Sequence, residues 1–317
     1  MSRILCMTSD TAGATNTIYT PKRVSESSFV ALRGLRYHVR KWTGSEVRGD
    51  AAPPLLMLHG FMDVAASFQF VVDCLPIERT VYAIDWRGFG LTDSPPVDSY
   101  WFADYLGDLD AVIDAVSPAA PVDVLGHSMG GNIVMIYAGV RPTRVRRLIN
   151  LEGFGLPDSA PADAPTRYRK WLDQLKAPMR LRPYPDLDTV AARLQQNNHR
   201  LPIDKARWLA AHWSQQKPDG QWHLLCDPAH KRTNPILYRE AEALACRREI
   251  TAPVLWVEGK QSDLMDYYGD RFSRADWQAR MDVLANRKQV VLDDCGHMLH
   301  HDQPHALAAH IESFLRE

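Results

Sequence analysis

Val122-Asp123-Val124-Leu125-Gly126-His127-Ser128-Met129-Gly130-Gly131 joins a short apolar run to a helix-like stretch, Gly131–Val140. A serine with glycine two positions before and two after it marks a turn too tight for bulky flanking side chains. Set between a strand and a helix, that turn holds the hydroxyl clear of the sheet, at the positive end of the helix dipole. Gly-x-Ser-x-Gly alone occurs by chance. In this context it makes Ser128 the candidate nucleophile.

Working outward, the runs Leu55–Leu58, Val81–Ile84, Leu148–Leu151, Val254–Val257 and Val290–Leu292 read as further buried strands. Leu35-Arg36-Tyr37-His38-Val39-Arg40 alternates like a half-exposed strand after a turn at Gly34. Helix-length segments separate most of them; Tyr100–Val116 sets Leu106, Leu109, Val112, Ile113 and Val116 on one face. The pattern predicts an α/β fold, a mostly parallel doubly wound sheet with helices on both sides. Residues 155–244 break the rhythm, being rich in Pro, Trp and Arg, with Trp171, Trp208, Trp213 and Trp222. So long a tract is no structureless loop inside a domain, and it reads as an inserted, mainly helical cap with a small hairpin at Asp219-Gly220. Residues 28–154 and 245–317 then form the core, and 1–27, rich in Thr, Ser and Ala, a flexible or loosely docked lead-in.

Composition narrows the function classes. With 45% apolar and 24% charged residues and a net charge of −1, no global field draws the chain to nucleic acid or an anionic membrane. The five cysteines follow neither a zinc nor a disulfide spacing. No apolar run approaches the ~20 residues of a membrane span, and Ile4–Met7 is too short for a signal-peptide core. The expectation is a soluble, cytoplasmic protein acting on a small molecule.

A serine hydroxyl needs a base. Val290–Leu292 leads into Asp293-Asp294-Cys295-Gly296-His297, where Gly296 lets the loop bring His297 over the serine; of the twelve histidines, this one has the setting of a base. His300, His301, His305 and His310 read as ordinary core or surface residues. Two acids compete to orient the imidazole. Asp263 follows Val254–Val257 in Glu258-Gly259-Lys260-Gln261-Ser262-Asp263 and is preferred; Glu152 ends the preceding strand, and Asp266 is a distant third. The oxyanion of an acyl transfer needs two donors: the N–H of Met129, and that of Phe61 in His59-Gly60-Phe61-Met62-Asp63. His59 and His127 read as structural. Asp85 and Arg87 in Asp85-Trp86-Arg87-Gly88-Phe89-Gly90 read as pins for neighbouring loops.

Taken in order, His59-Gly60-Phe61, Asp85 to Gly90, Gly126 to Gly130, Gly259…Ser262-Asp263 and Gly296-His297…Gln303-Pro304 resemble the α/β-hydrolase superfamily over residues 29–317, within it the capped esterase and carbon–carbon-bond hydrolase branch. The resemblance implies a sheet of about eight strands, a Ser128–Asp263–His297 triad, oxyanion donors at Phe61 and Met129, and no metal or organic cofactor. One departure is that Gly259 to Asp263 is one residue longer than the family's commonest spacing, which keeps Glu152 in play. Serine at position 128 sets the chain apart from relatives that use a carboxylate nucleophile.

The function expected is hydrolysis of a carboxylic ester, or a related acyl bond of a small, largely apolar substrate, with cap aromatics such as Trp171, Trp208 and Trp213 as candidate pocket walls. Carbon–carbon hydrolysis of a diketone-like acid uses the same triad and adds a basic group such as Arg180, Arg182 or Lys231; lactonase and thioesterase chemistry stay open. From another class comes a non-catalytic ligand-binding protein on the same fold. The stretch Asp227 to Arg232 reads as a cap-to-core salt-bridge cluster rather than a holder of a substrate carboxylate.

Overall fold

The apolar runs pair into an eight-stranded sheet of order β1-β2-β4-β3-β5-β6-β9-β10 in a computed structural model that describes residues 17–45 and 52–317. The strands are β1 (Glu26–Leu32), β2 (Leu35–Trp42), β3 (Leu55–Leu58), β4 (Val81–Ile84), β5 (Val122–His127), β6 (Val145–Leu151), β9 (Val254–Gly259) and β10 (Arg287–Leu292). From β4 to β10 the neighbours run parallel; β2 is antiparallel to β4, and β1 to β2. Strand β1 lacks a buried apolar run, since most of its residues are exposed. It is held instead by full pairing with β2 from Glu26↔Lys41 to Leu32↔Leu35.

The interior strands are buried on both sides, so alternate residues feed two separate cores. In β3, Leu56 and Leu58 face a core shared with α2 (Phe102–Val116) and α3 (Met129–Val140), while Leu55 and Met57 face one shared with the short α1 (Gln69–Val72) and α11 (Pro304–Arg316). In β9, Val254 and Trp256 join the first core and Leu255 and Val257 the second. The doubly wound reading of the sequence therefore stands.

Between β6 and β9 the chain inserts α4 (Ala164–Leu175), α5 (Leu187–Asn197), α6 (Ile203–Trp213), a hairpin of β7 (Ser214–Gln216) and β8 (Trp222–Leu224), and α7 (Glu240–Arg248). Helices α5 and α6 bury Val190, Ala191, Leu194, Ala206 and Leu209 in a third core with Val64, Ala66 and Phe70 from the segment after β3. After β9 come the short α8 (Leu264–Tyr268), α9 (Arg274–Met281) and, beyond β10, α10 (Leu299–Asp302). No helix among the described residues is long and apolar enough to cross a membrane.

Residues 1–16 of the lead-in lie outside the described residues. The rest of it is docked: the Tyr19 hydroxyl donates to Asp73 at 2.6 Å, Tyr19 packs edge-on against Phe70, and the Arg23 guanidinium reaches the carbonyls of Trp42, Pro76 and Arg79. Phe70, 1% exposed, thus joins the lead-in, the sheet side and the insertion at one ring. Phe70→Ala is expected to destabilise the protein by about 3–5 kcal/mol through lost burial and a cavity. A lowered urea midpoint measures this; an unchanged midpoint contradicts that packing role.

Candidate active site

Strand β5 ends at His127, and the chain turns into α3 through Ser128, whose backbone sits at φ 50°, ψ −112°. A positive φ is strained for a residue with a Cβ and persists only where the surroundings dictate it. Here the Ser128 N–H donates to the Leu151 carbonyl at 2.8 Å and its own carbonyl accepts from Asn132. The flanking glycines are required by close approach: a Cβ on Gly126 would lie 2.4 Å from the Gly130 carbonyl oxygen, and one on Gly130 2.2 Å from that of Leu58. Ser128 stays partly exposed at the N-terminus of the 12-residue helix.

His297, in the loop after β10, donates through Nδ1 to Glu152 Oε2 at 2.6 Å. Glu152 is completely buried at the end of β6. Its other contacts come from the loop after β9: Oε1 accepts the Gly259 N–H at 2.7 Å, and Oε2 accepts the Ser262 hydroxyl at 2.6 Å. The loop predicted to carry the acid therefore clamps a carboxylate from the neighbouring strand. Asp263 itself is exposed at the N-cap of α8, and its side chain makes no capping bond. The geometry corrects the preferred pairing of His297 with Asp263: the imidazole bonds Glu152, and from the loop after β9 it is Ser262, not Asp263, that meets this carboxylate.

Adjacent to the serine, His127 is buried and donates through Nε2 to the His297 carbonyl at 2.8 Å, tying the nucleophile turn to the histidine loop. Burial, reinforced by the nearby imidazoles of His300 and His297, holds the His127 pKa well below the usual histidine range, which fits a neutral donor. The Ser128 hydroxyl and His297 share no hydrogen bond; contacts of this kind commonly tighten only around substrate.

The loop after β3 completes the site. Gly60 packs so closely on the serine turn that a Cβ there would sit 3.2 Å from Ser128 Cβ. Neither the Phe61 nor the Met129 N–H is taken up by an acceptor among the described residues. His59 is structural as expected, but it ties to Trp86: its Nε2 accepts the Trp86 N–H at 3.0 Å, and the Trp86 indole donates to the His59 carbonyl. Asp85 accepts the N–H groups of Ala65 and Leu91 and pairs with His38 at 2.7 Å, while Arg87 pairs with Asp108 and Asp104 of α2. Both pin loops.

The insertion reaches this loop from above. Trp213 donates its indole N–H to Asp63 at 3.0 Å, and Cys226 Sγ lies 3.2 Å from Met62 Sδ. Trp208 packs instead against Tyr19, Phe70 and His212, and Trp171 lies on α4, a helix with no buried residue. The Asp227 to Arg232 stretch docks mainly through aromatic and backbone contacts. The His230 ring stacks between Phe89 at 3.8 Å and Tyr100 at 3.5 Å, and the Asp227 N–H donates to the Gly88 carbonyl at 2.7 Å. Its ion pairing is confined to Arg232 with Asp98 at 3.8 Å among the described residues. Two cavities, of about 180 Å³ beside His38, Arg40 and His212 and about 460 Å³ beside Thr166, Lys170 and Met179, are not lined by Ser128.

His230 also marks how the contact between insertion and core should respond to acid. Burial pushes its pKa from the ordinary 6.5 down to about 3. Between those values the unfolded chain holds the extra proton and the folded one does not, so stability is complete above pH 6.5 and falls as pH drops towards 3. The expected slope is up to about 1.4 kcal/mol per pH unit from this residue. Urea unfolding of wild type and His230→Asn across that range measures it; equal slopes refute it.

A family model described as alpha/beta hydrolase fold matches residues 53–304. A serine hydrolase-like protein of Danio rerio is 26% identical over 275 residues, covering 83% of this chain and 81% of its own length. A 2-(acetamidomethylene)succinate hydrolase of Mesorhizobium japonicum is 26% identical over 215 residues, 68% of this chain and 73% of that protein. Among solved structures, a thioesterase domain from the curacin biosynthetic pathway superposes with a TM-score of 0.79 at 26% identity, covering 92% of this chain and 99% of that one.

Proposed function

Since the chain belongs to the alpha/beta hydrolase fold family, we propose that it is a serine hydrolase cleaving a carboxylic ester, or a related acyl bond, of a small, largely apolar substrate through a Ser128 acyl-enzyme. The observation that carries the reading is the 2.6 Å bond from His297 Nδ1 to buried Glu152, beside a serine held at positive φ. In this reading the triad is Ser128, His297 and Glu152, with Glu152 in the role first given to Asp263.

The chemistry follows from these positions. With its Nδ1 proton held by Glu152, His297 presents Nε2 as the base. It takes the Ser128 proton as Oγ attacks the acyl carbon, and the Glu152 charge offsets the imidazolium so formed. The developing oxyanion sits between the Phe61 and Met129 N–H groups, each such donor contributing about 3–4 kcal/mol to the transition state. His297 then protonates the leaving alcohol, and after its departure activates water to hydrolyse the acyl-enzyme.

The insertion between β6 and β9 is read as a cap that shapes the acyl pocket, supported by its contacts with Met62 and Asp63 and by the Phe61 ring lying 6.3 Å from that of His230. Carbon–carbon hydrolysis gains no support: Arg180, Arg182 and Lys231, the basic groups it calls on, are all exposed. A fluorophosphonate probe with a series of p-nitrophenyl esters of rising chain length tests the proposal. Labelling of the wild type with turnover of at least the short esters is expected; an unlabelled, inactive wild type overturns it.

A further inference from the structure

Beneath the loops that carry Ser128, His297 and Phe61, three buried side chains turn donor atoms towards one another. One atom each from the Asp63 carboxylate, the His127 imidazole and the His300 imidazole lie within 4.8 Å of each other. Asp63 is 3% exposed, His127 2% and His300 0%. Each keeps a buried side-chain atom without a hydrogen-bond partner among the described residues, namely Asp63 Oδ2, His127 Nδ1 and His300 Nδ1, although Asp63 Oδ2 also lies within ion-pair distance of His300 Nε2. A buried polar atom left without a partner is costly, and three such residues together point to a ligand that accepts lone pairs.

The atoms that are satisfied hold the others in aim. Asp63 Oδ1 accepts from the Val64 N–H at 2.9 Å and the Trp213 indole at 3.0 Å, which leaves Oδ2 directed at the cluster. His127 donates its Nε2 proton to the His297 carbonyl, so its free lone pair is on Nδ1. A metal-binding histidine is oriented in the same way, its far ring nitrogen donating to a carbonyl or carboxylate. His300 Nε2 lies 3.1 Å from Ser67 Oγ and 3.7 Å from Asp63 Oδ2. Two imidazoles and one carboxylate suit zinc and its first-row neighbours, whereas magnesium and calcium call for oxygen ligands.

We propose that Asp63, His127 and His300 form a site for one divalent transition-metal ion of the zinc class. The ligands come from three separate segments: Asp63 lies in the loop just after Phe61, His127 is the last residue of β5 directly before Ser128, and His300 lies in α10 just beyond His297. An ion there cross-links the loops of the donor, the nucleophile and the base from behind and takes no part in bond breaking. The site stands on its own donor set and does not depend on the ester reading.

The full chain, stripped with a chelator, is titrated with Co²⁺ and then Zn²⁺. One Co²⁺ per chain is expected, with the visible d–d absorption of a low-symmetry nitrogen–oxygen site, displaced by Zn²⁺ and accompanied by a rise in Tm. Asp63→Asn and His300→Asn should lose the absorption and the Tm rise, with affinity falling on the order of 100-fold or more. His301→Asn should keep both, because His301 lies outside the group of three whose donor atoms converge. If His300→Asn does not fold, Asp63→Asn decides, since its Oδ1 contacts survive. A wild type that takes up no Co²⁺, or an Asp63→Asn chain that binds it as tightly, overturns the proposal.

Discussion

Ser128→Ala is expected to abolish fluorophosphonate labelling and to lower kcat on a p-nitrophenyl ester by on the order of 10⁴–10⁶. At 1.36 kcal/mol per decade this is about 5–8 kcal/mol of lost transition-state stabilisation. The loss is large because the serine supplies the covalent route itself; the Phe61 and Met129 donors and the pocket can sustain only the residual rate. The fold should be unaffected. Alanine meets the positive φ at position 128 with the same Cβ that serine has, and the serine hydroxyl makes no hydrogen bond that alanine would forfeit. Matching urea midpoints for the two proteins would show this. A Ser128→Ala protein that still labels and turns over would move the nucleophile elsewhere.

Glu152→Gln should lower kcat by roughly 10³–10⁴, while Asp263→Asn stays within about threefold of wild type. The glutamine fits the same space, but its amide cannot carry the charge that offsets the imidazolium, and its NH₂ confronts the Ser262 hydroxyl and His297 with a donor where both need an acceptor. KM should change little, because Glu152 is completely buried behind the imidazole and out of reach of substrate. The pair of variants separates the two carboxylates cleanly. Loss in Asp263→Asn with retention in Glu152→Gln would reverse the assignment.

Much of this was legible in the sequence, for identifiable reasons. The buried strands β3, β4 and β9 announce themselves through the unbroken apolar runs Leu55–Leu58, Val81–Ile84 and Val254–Val257, and β5 through a run interrupted only by Asp123. Ser128 is visible because its turn needs small residues at fixed offsets, and His297 because a glycine precedes it after a late strand. Strand β1 was not read as a strand because it is an exposed edge whose residues answer to pairing with β2 rather than to burial. The sequence favours Asp263 over Glu152 as the partner of His297 for a geometric reason: sequence order gives the loop that approaches His297, but not which side chain bonds the imidazole. Two clues were present, the extra residue between Gly259 and Asp263 and a lone carboxylate closing the apolar run Leu148–Leu151. Asp63, His127 and His300 were beyond such reading, since residues so far apart in the chain meet only once the sheet has folded.

Glu152 is fixed by the end of a central strand, and the loop after β9 meets it through one backbone N–H and one serine hydroxyl. That division of labour has a consequence for protein engineering. Where the acid rides on a loop, the loop's length and sequence are tied to catalysis. Under the proposed assignment, the stretch from Asp263 to Arg271 carries no catalytic duty once Gly259 and Ser262 are preserved. It is largely exposed, and its two short helices bury no residue. This makes it a natural site for grafting affinity tags or reporter peptides, with Ser128, Glu152 and His297 left in register.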